Sequence, residues 1–506
     1  MASARPEPRL VKGFRDLFAQ DASLKREMID TVRAVYERYG YMPLETPALE
    51  YVDVLGKFLP ESATPAGGIF SFRNPDFAEG QGDAERWLSL RYDLTAPLAR
   101  VAAQYQQELA KPFRRYQVGS VYRYEKPGPG RFREFMQFDF DAVGVPSVLA
   151  DAEVCAVICD AFGALGFERG EYSVRVNDRK ILTGVLESCG FATSQSGTQA
   201  EPDDRGLVVL RAIDKLDRLG IKGVSELLGS GRKDESGDFT AGAGLSAKQI
   251  DVVIGYLQAG TNTTSRGEVL ANLDKLVGNT ATGASGISEL RQINDALNTM
   301  GYDEAMVAFD PTIVRGLAYY TGPVFEGVIT KQITDSEGQK RQFGSVYGGG
   351  RYDDLVERFT GVKVPATGAS IGVDRMLEAM KLIRGPRPQA TAKVLVLVID
   401  PPRMPWYLQT TQKLRRAGIP TEMYLGEGGF KAQLKYADKL GIPLAVVAGG
   451  NELDKGVVQI KDLIAGKQQG ASANKDQWKA GAFAQREVPE ASLVEEIQKT
   501  LRSSGV

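Results

Sequence analysis

The segment Val121–Asp141, VYRYEKPGPGRFREFMQFDFD, constrains the fold of this chain more than any other stretch. Two alternating runs flank a Pro-Gly-Pro-Gly turn, which predicts an antiparallel hairpin. Alternate residues of a strand share a face. One face then carries Arg123 and Glu125 on the first run, and Phe135, Gln137, Asp139 and Asp141 on the second. The opposite face carries Tyr122, Tyr124, Met136, Phe138 and Phe140, which suit a core. A face dense in mixed charge, with one Phe set in it, fits a nucleotide floor. Arg forks onto phosphate oxygens and Phe stacks on a base. An exposed sheet face held by surface ion pairs fits the alternation equally well.

At 506 residues the chain is too long for one ordinary core, so more than one domain is expected. The net charge of -2 provides no global basic field, and a nucleic-acid partner would need a local patch. Met1–Leu10 is polar, with no apolar signal core, and the aliphatic run Val394–Ile399 is far too short for a membrane span. A cytoplasmic protein without membrane contact is expected. The three cysteines, Cys155, Cys159 and Cys189, are too few for a disulfide framework and have no imidazole to share a metal with. They read as buried, inert thiols, and no protein-held metal is expected. The chain contains no histidine, which excludes Ser-His-Asp triads, HExxH zinc sites and histidine phosphorelays.

Met28, Ile29, Val32, Val35, Tyr36 and Tyr39 form a helical stripe stopped by Gly40. Leu88–Gly144 reads as strands with one helix, Val148–Gly166 as a helix, and Tyr172–Val176 as a strand. Gly229–Gly244, rich in Gly, Ser and charge, reads as a mobile loop within a helical insertion over 200–300. Strands return from Val307 to Val373. Beyond Gly385, Pro386 and Pro388 comes a separate α/β pattern, with strands Val394–Ile399 and Leu444–Ala448 and a helix over Gln409–Arg416. Lys431, Lys435 and Lys439 share one helix face, suited to phosphates or simply solvated. Three further segments are weak singly: GASIGVDR at Gly368–Arg375, RGLAYYTGPVFE at Arg315–Glu326, and GGGRYD at Gly348–Asp353. Each also fits ordinary strand, turn or packing roles.

Taken in order, these segments resemble a known family. Arg123-Tyr124-Glu125, then Arg131, Phe135 and Asp139, resembles motif 2 of class II aminoacyl-tRNA synthetases. Gly368–Arg375 resembles motif 3, and the helix before Pro47, with Pro47, resembles the dimer-forming motif 1. RGLAYYTG, GGGRYD, LRYDLTAPLAR (Leu90–Arg100) and KGFRD (Lys12–Asp16) resemble segments of histidyl-tRNA synthetases, as do GGFKAQLKYADKLG and KDLIAG near the C-terminal end. The resemblance implies an α+β fold: a class II antiparallel-sheet catalytic core with a helical insertion, plus a C-terminal α/β anticodon-binding domain. Its expected boundaries are 1–199 and 301–385 for the core, 200–300 for the insertion and 390–506 for the last domain.

The resemblance also implies roles. Arg123 would hold the ATP α-phosphate and the amino-acid carboxylate, Glu125 the adenine amino group, and Arg131 and Arg375 the γ-phosphate. Phe135 and Arg375 would sandwich the base. Arg315 would be the catalytic arginine on the α-phosphate, assisted by Arg123 and Gln137. Asp93, Thr95 and Gln137 would hold the histidine ammonium and carboxylate, with Tyr319 in the same pocket. Asp141 and Tyr320 would read the imidazole. The implied partners are L-histidine, ATP with Mg2+, histidine tRNA and a second copy of the chain. Two departures stand out. Pro and Gly fill the motif 2 loop, Lys126–Gly130, where a polar pair is usual, and Ala318 stands where an acidic residue is common. A non-catalytic paralogue with the same core is the alternative. It would be expected to lack the C-terminal domain and the arginines at 123, 131, 315 and 375.

Overall fold

The computed structural model describes residues 5–55, 68–77, 85–128, 130–191, 193–196, 199–202, 204–233, 237–314, 320–334, 338–385, 389–465 and 485–503. The chain divides into two compact units, Met1–Asp16 with Lys25–Arg384, and Leu17–Leu24 with Gly385–Val506.

The larger unit is built on an eight-stranded sheet. Its strands are β1 (Met42–Pro43), β2 (Phe113–Tyr122), β3 (Glu134–Val143), β4 (Tyr172–Asp178), β5 (Val307–Phe309), β6 (Pro323–Ile329), β7 (Gly344–Arg351) and β8 (Ala366–Gly372). They lie in the order β1-β2-β3-β8-β7-β6-β4-β5. Only the two rim pairs, β1–β2 and β4–β5, are parallel. The hairpin β2–β3 thus joins a strand from far along the chain, β8, at the centre of the sheet.

Helices α1 (Ala19–Arg38), α2 (Thr95–Gln104), α3 (Leu149–Ala164), α4 (Arg179–Ser188), α5 (Ala281–Met300) and α6 (Val373–Arg384) accompany these strands. The buried stripe of α1 is Met28, Val32, Val35 and Tyr36, and Gly40 beyond its end adopts φ +77. That left-handed conformation suits glycine and helps stop the helix. Helix α3 is apolar over most of its circumference. Ala152, Val154, Cys155, Val157, Ile158, Ala161 and Phe162 are fully buried, and α3 packs on β4, β6, β7, β8 and α5. A helix of that kind must lie inside a core. Asp178 caps α4, accepting from the Lys180 N–H at 2.8 Å. On the core side of the hairpin, Phe138 and Phe140 pack on Tyr36 with ring centroids 4.8 and 4.6 Å away. Burying each such ring stabilises the fold by roughly 1.5–3 kcal/mol. Arg351 of GGGRYD is a structural pin. Its Nε donates to Asp151 of α3 at 3.0 Å, and its terminal nitrogens donate to the carbonyls of Val145 and Ser147.

The structure departs from two of the sequence expectations. The ladder between β2 and β3 ends at Tyr122–Glu134, so Arg123 and Glu125 lie on the loop beyond the strand. Alternation stops where pairing stops. Tyr124, expected in the core, is therefore 52% exposed and packs against Phe70 with Arg133 over its ring. Gly229–Gly244, expected as a loop, holds an antiparallel strand pair, Gly231–Lys233 with Phe239–Ala241. Helices surround that pair: Asp204–Ile213, Leu216–Leu228, Ala247–Leu257, Arg266–Val277 and α5.

The smaller unit has a five-stranded sheet. Its strands are β9 (Val394–Val396), β10 (Thr421–Met423), β11 (Leu444–Val447), β12 (Val457–Asp462) and β13 (Gln485–Pro489), in the order β10-β9-β11-β12-β13. Helices α7 (Met404–Arg416), α8 (Phe430–Leu440) and α9 (Leu493–Ser503) cover it. Val394, Val396, Leu444 and Val446 pack into one core and Leu395, Ala445 and Val447 into another, on the opposite face. Both faces of β9 and β11 are therefore covered, which accounts for their unbroken apolar runs. Lys431, Lys435 and Lys439 are exposed on α8. Among the described residues, no helix is long and apolar enough to cross a membrane.

Candidate active site

A cleft of about 740 Å³ opens over the centre of the large sheet. The loop leaving β2 supplies Arg123, Glu125 and Arg131, and β3 supplies Phe135 and Gln137. Asp93 and Thr95 enter from the start of α2, Tyr320 from just before β6, and Arg375 from the start of α6. These residues come from segments far apart in sequence, and the sheet brings them to one place.

Arg123 is held from two sides. Its Nε donates to the Tyr92 carbonyl at 3.3 Å, and its guanidinium carbon stands 4.3 Å from the Tyr92 ring and 5.0 Å from the Phe135 ring. A cation gripped by two ring faces is preset in orientation. Arg375 donates to the Ser345 carbonyl at 2.6 Å and is exposed at the cleft mouth, as are Glu125 and Arg131. The outer part of the cleft is thus arginine-rich, as polyphosphate binding requires.

The inner part is acidic. Asp93 Oδ1 accepts from the N–H groups of Thr95 and Ala96 at 3.1 and 2.9 Å. Burial pushes its carboxyl above the ordinary range, while those N–H groups and the charges of Arg123 and Arg115 pull it back. Gln137 donates from Nε2 to Ser370 Oγ at 3.1 Å. Its Oε1 accepts no hydrogen bond among the described residues, nor do Asp139 Oδ1 and Asp141 Oδ2. The alternation of β3 places these three on one face. The result is a row of acceptor oxygens, buried at Asp139 and Asp141, with Asp141 Oδ2 ion-paired to Arg115 at 2.8 Å.

Asp141 itself is buried and does not line the cleft; it lies deeper along β3 than Gln137, near Tyr320. Arg315 and Tyr319 lie outside the described residues. Several residues of the site carried no expectation. Tyr92 and Asp374 line the cleft, and Arg115 and Tyr352 contact Asp141 from beneath. Carrying the hairpin alternation four steps back from Arg123 would have found Arg115, which the sheet register sets opposite Asp141. Among the described residues, no group of three or more acidic, cysteine or histidine side chains is placed to hold a metal ion.

A family model for histidyl-tRNA synthetase matches residues 13–376. The chain belongs to the histidyl-tRNA synthetase family. A second family model, for an anticodon-binding domain, matches residues 393–500, which fall within the smaller unit. A histidine--tRNA ligase of Cereibacter sphaeroides is 52% identical over 501 residues, covering 99% of each chain. One from Dinoroseobacter shibae is 51% identical, covering 98% of each. The crystal structure of histidyl-tRNA synthetase from Nostoc sp. PCC 7120 superposes with a TM-score of 0.74 at 28% identity, covering 98% of this chain and all of that one. Class II synthetase architecture, α+β with a central antiparallel sheet and an added α/β unit, is the fold of this family member.

Proposed function

We propose that the larger unit activates L-histidine with ATP and then passes it to the 3′ end of histidine tRNA. The observation that carries this reading is the row of acceptor oxygens on β3, Gln137 Oε1, Asp139 Oδ1 and Asp141 Oδ2, none of which accepts a hydrogen bond among the described residues, running in from an arginine-lined mouth. Histidine brings the donors such a row needs, an ammonium and a ring N–H. ATP brings the phosphates that the arginines need.

In the first step an oxygen of the histidine carboxylate attacks the α-phosphorus, and pyrophosphate leaves. Arg123, facing the cleft from between two rings, is assigned to the α-phosphate and carboxylate. Phe135 and Arg375 are assigned to the base, Glu125 to its amino group, and Arg131 with Arg375 to the γ-phosphate. Arg315 is assigned to the charge that builds on the α-phosphate, because stabilising that charge dominates this chemistry. Asp93, Thr95 and Gln137 are assigned to the ammonium and carboxylate, Asp141 and Tyr320 to the imidazole, and Tyr319 to the same pocket. Magnesium is assigned to the ATP phosphates as part of the substrate.

In the second step the terminal ribose hydroxyl of the tRNA attacks the acyl carbon, and AMP leaves. The chain has no imidazole to accept the hydroxyl proton. A phosphate oxygen of the adenylate is assigned that task. The smaller unit is assigned to the anticodon end of the tRNA, with the exposed lysines of α8 available for its backbone. A homodimer in the cytoplasm completes the reading.

ATP–pyrophosphate exchange, run with each standard amino acid and without tRNA, tests it. Exchange with histidine alone is the expected result. No exchange with any amino acid, in folded protein, would overturn the proposal in favour of a regulatory paralogue.

A further inference from the structure

Beneath the inner end of the cleft, three charged side chains are sealed from water. Arg115 is 0% exposed, Asp139 2% and Asp141 3%. Strand register sets Arg115 opposite Asp141 and Gln117 opposite Asp139. Arg115 Nη2 lies 2.8 Å from Asp141 Oδ2 and 3.9 Å from Asp139 Oδ2. The same nitrogen donates to the Leu94 carbonyl at 3.1 Å, which ties the guanidinium to the residue before α2. The other oxygen of Asp141, Oδ1, accepts from the Tyr352 hydroxyl. Asp141 Oδ2 is therefore compensated in charge yet accepts no hydrogen bond among the described residues.

That combination is unusual for a buried carboxyl. Without a nearby cation, a carboxyl in an apolar setting takes up a proton and becomes a donor as well as an acceptor. Beside a guanidinium it stays ionised and can only accept. Of the two carboxyls, Asp141 is the nearer to the guanidinium. Asp139 is the one better placed to carry the proton that three buried charges of unequal sign require.

We infer that Arg115 is a positioning residue for the amino-acid half of the reaction, holding Asp141 as an oriented, charged acceptor for the N–H of a heterocyclic side chain. This deepens the function proposed above and rests on it: Asp141 meets the substrate, and Arg115 acts through Asp141. An acceptor-only carboxylate rejects rings that offer no N–H, because its lone pair would be left buried and unpaired.

The groups around Asp141 determine how the role shows itself with pH. They are Arg115 from β2, Asp139 on β3, Tyr352 after β7, Asp93 before α2, Tyr320 before β6 and Tyr41 before β1. Burial pushes the Tyr41 and Tyr320 phenols up, so these two stay protonated through neutral pH. The guanidinium is the only cation in the set.

The test is ATP–pyrophosphate exchange with KM for histidine and KM for ATP measured separately across the neutral range of pH. The proteins are the wild type, Arg115→Met, Arg115→Lys and Tyr352→Phe. Arg115→Met is expected to raise the histidine KM about a hundredfold at neutral pH, as truncating one member of a buried charged pair does, with the ATP KM unchanged. The loss is expected to shrink as pH rises, because alkali ionises Asp141 without help. Arg115→Lys keeps the charge but loses the fork, and about a tenfold rise in histidine KM without a shifted pH profile is expected. Tyr352→Phe is expected to raise the histidine KM with no shift in pH profile either. If Arg115→Met does not fold, Arg115→Lys decides alone. An unchanged histidine KM in Arg115→Lys, or equal rises in both KM values, overturns the inference and leaves Arg115 a structural counter-ion. A wild type that exchanges with no amino acid would instead overturn the proposed function.

Discussion

Gly350 lies opposite Gly368 across β7 and β8, and the space above these two bare backbones is filled by Tyr320 and Asp141. A Cβ on Gly350 would stand 2.6 Å from Tyr320 Cδ1, and one on Gly368 would stand 2.3 Å from Asp141 Oδ1. The Gly368 Cβ would also meet the Phe140 carbonyl at 2.4 Å, which is backbone and cannot swing away. Gly368→Ala is therefore expected to force β3 and β8 apart, lowering the melting temperature and exchange activity together. A Cβ on Gly350 would also meet the Pro323 carbonyl at 2.8 Å, so Gly350→Ala is expected to displace both Tyr320 and the start of β6, raising the histidine KM more than the ATP KM, at an overpacking cost of about 1–3 kcal/mol. Exchange kinetics and thermal melts on the two variants separate these outcomes. Equal KM effects in Gly350→Ala would remove Tyr320 from the proposed histidine pocket.

Arg15, within KGFRD, ties the outer end of the cleft together. Its guanidinium lies 4.0 Å from the Phe132 ring centroid and pairs with Asp374. Asp374 Oδ2 in turn accepts from the Met136 N–H at 2.6 Å. The loop after β2 and the start of α6 are thus joined through one side chain. Arg15→Met is expected to raise the ATP KM about tenfold, the size of one partly buried cation–π contact and ion pair together, and to leave the histidine KM alone. Exchange measured against ATP concentration checks this. An unchanged ATP KM would mean that the loop holds its place without Arg15.

Asp139 carries a pH signature. Burial pushes its carboxyl up to about 7, against the opposing pull of Arg115 and with the repulsion of Asp141 added. A carboxyl raised in the folded state stabilises that state at pH values below its ordinary range. The contribution is lost as pH rises through about 7. The larger unit is expected to lose stability from mildly acid to mildly alkaline pH. Asp139→Asn, which has no proton to lose, is expected to flatten that slope. Chemical denaturation at two pH values is sufficient, and an unaltered slope in the variant would show that Asp139 is ionised throughout.

The cysteines are expected to be silent. All three are buried, and burial pushes the thiols of Cys155 and Cys159 far up and that of Cys189 to about 11. Thiolate is the reactive form. A colorimetric thiol reagent is expected to find none in the native protein and all three after unfolding. Fast native reaction at one site would identify a local opening there.

The hairpin β2–β3 was legible because alternation fixes which residues share a face. Phe138 and Phe140 went to the core as the pattern required. Tyr124 did not, because a pattern carries no mark of the point where pairing ends. The strand pair around Gly231–Ala241 gave no apolar alternation to read, and Phe239 there is 61% exposed. Depth was equally hidden. Gln137 and Asp141 alternate alike, yet one lines the cleft and the other lies beneath it. The joining of β3 to β8 is a tertiary fact that neither segment shows alone. Family resemblance, carried by the residues of both, is what connected them in the sequence.

That joining has a consequence for the making of the protein. β3 has its hairpin partner within a few residues, but the bond from Gln137 to Ser370 spans 233 positions. While a ribosome produces the intervening chain, the far edge of β3 has nothing of its own to pair with. An open strand edge recruits strands from other molecules. Closing so wide a loop is also slow, because its entropy is lost before its contacts form. The inner cleft thus comes into being only in the last stage of synthesis of the larger unit, and a nascent chain stalled before β8 would expose a sticky edge where a finished one has its sheet closed.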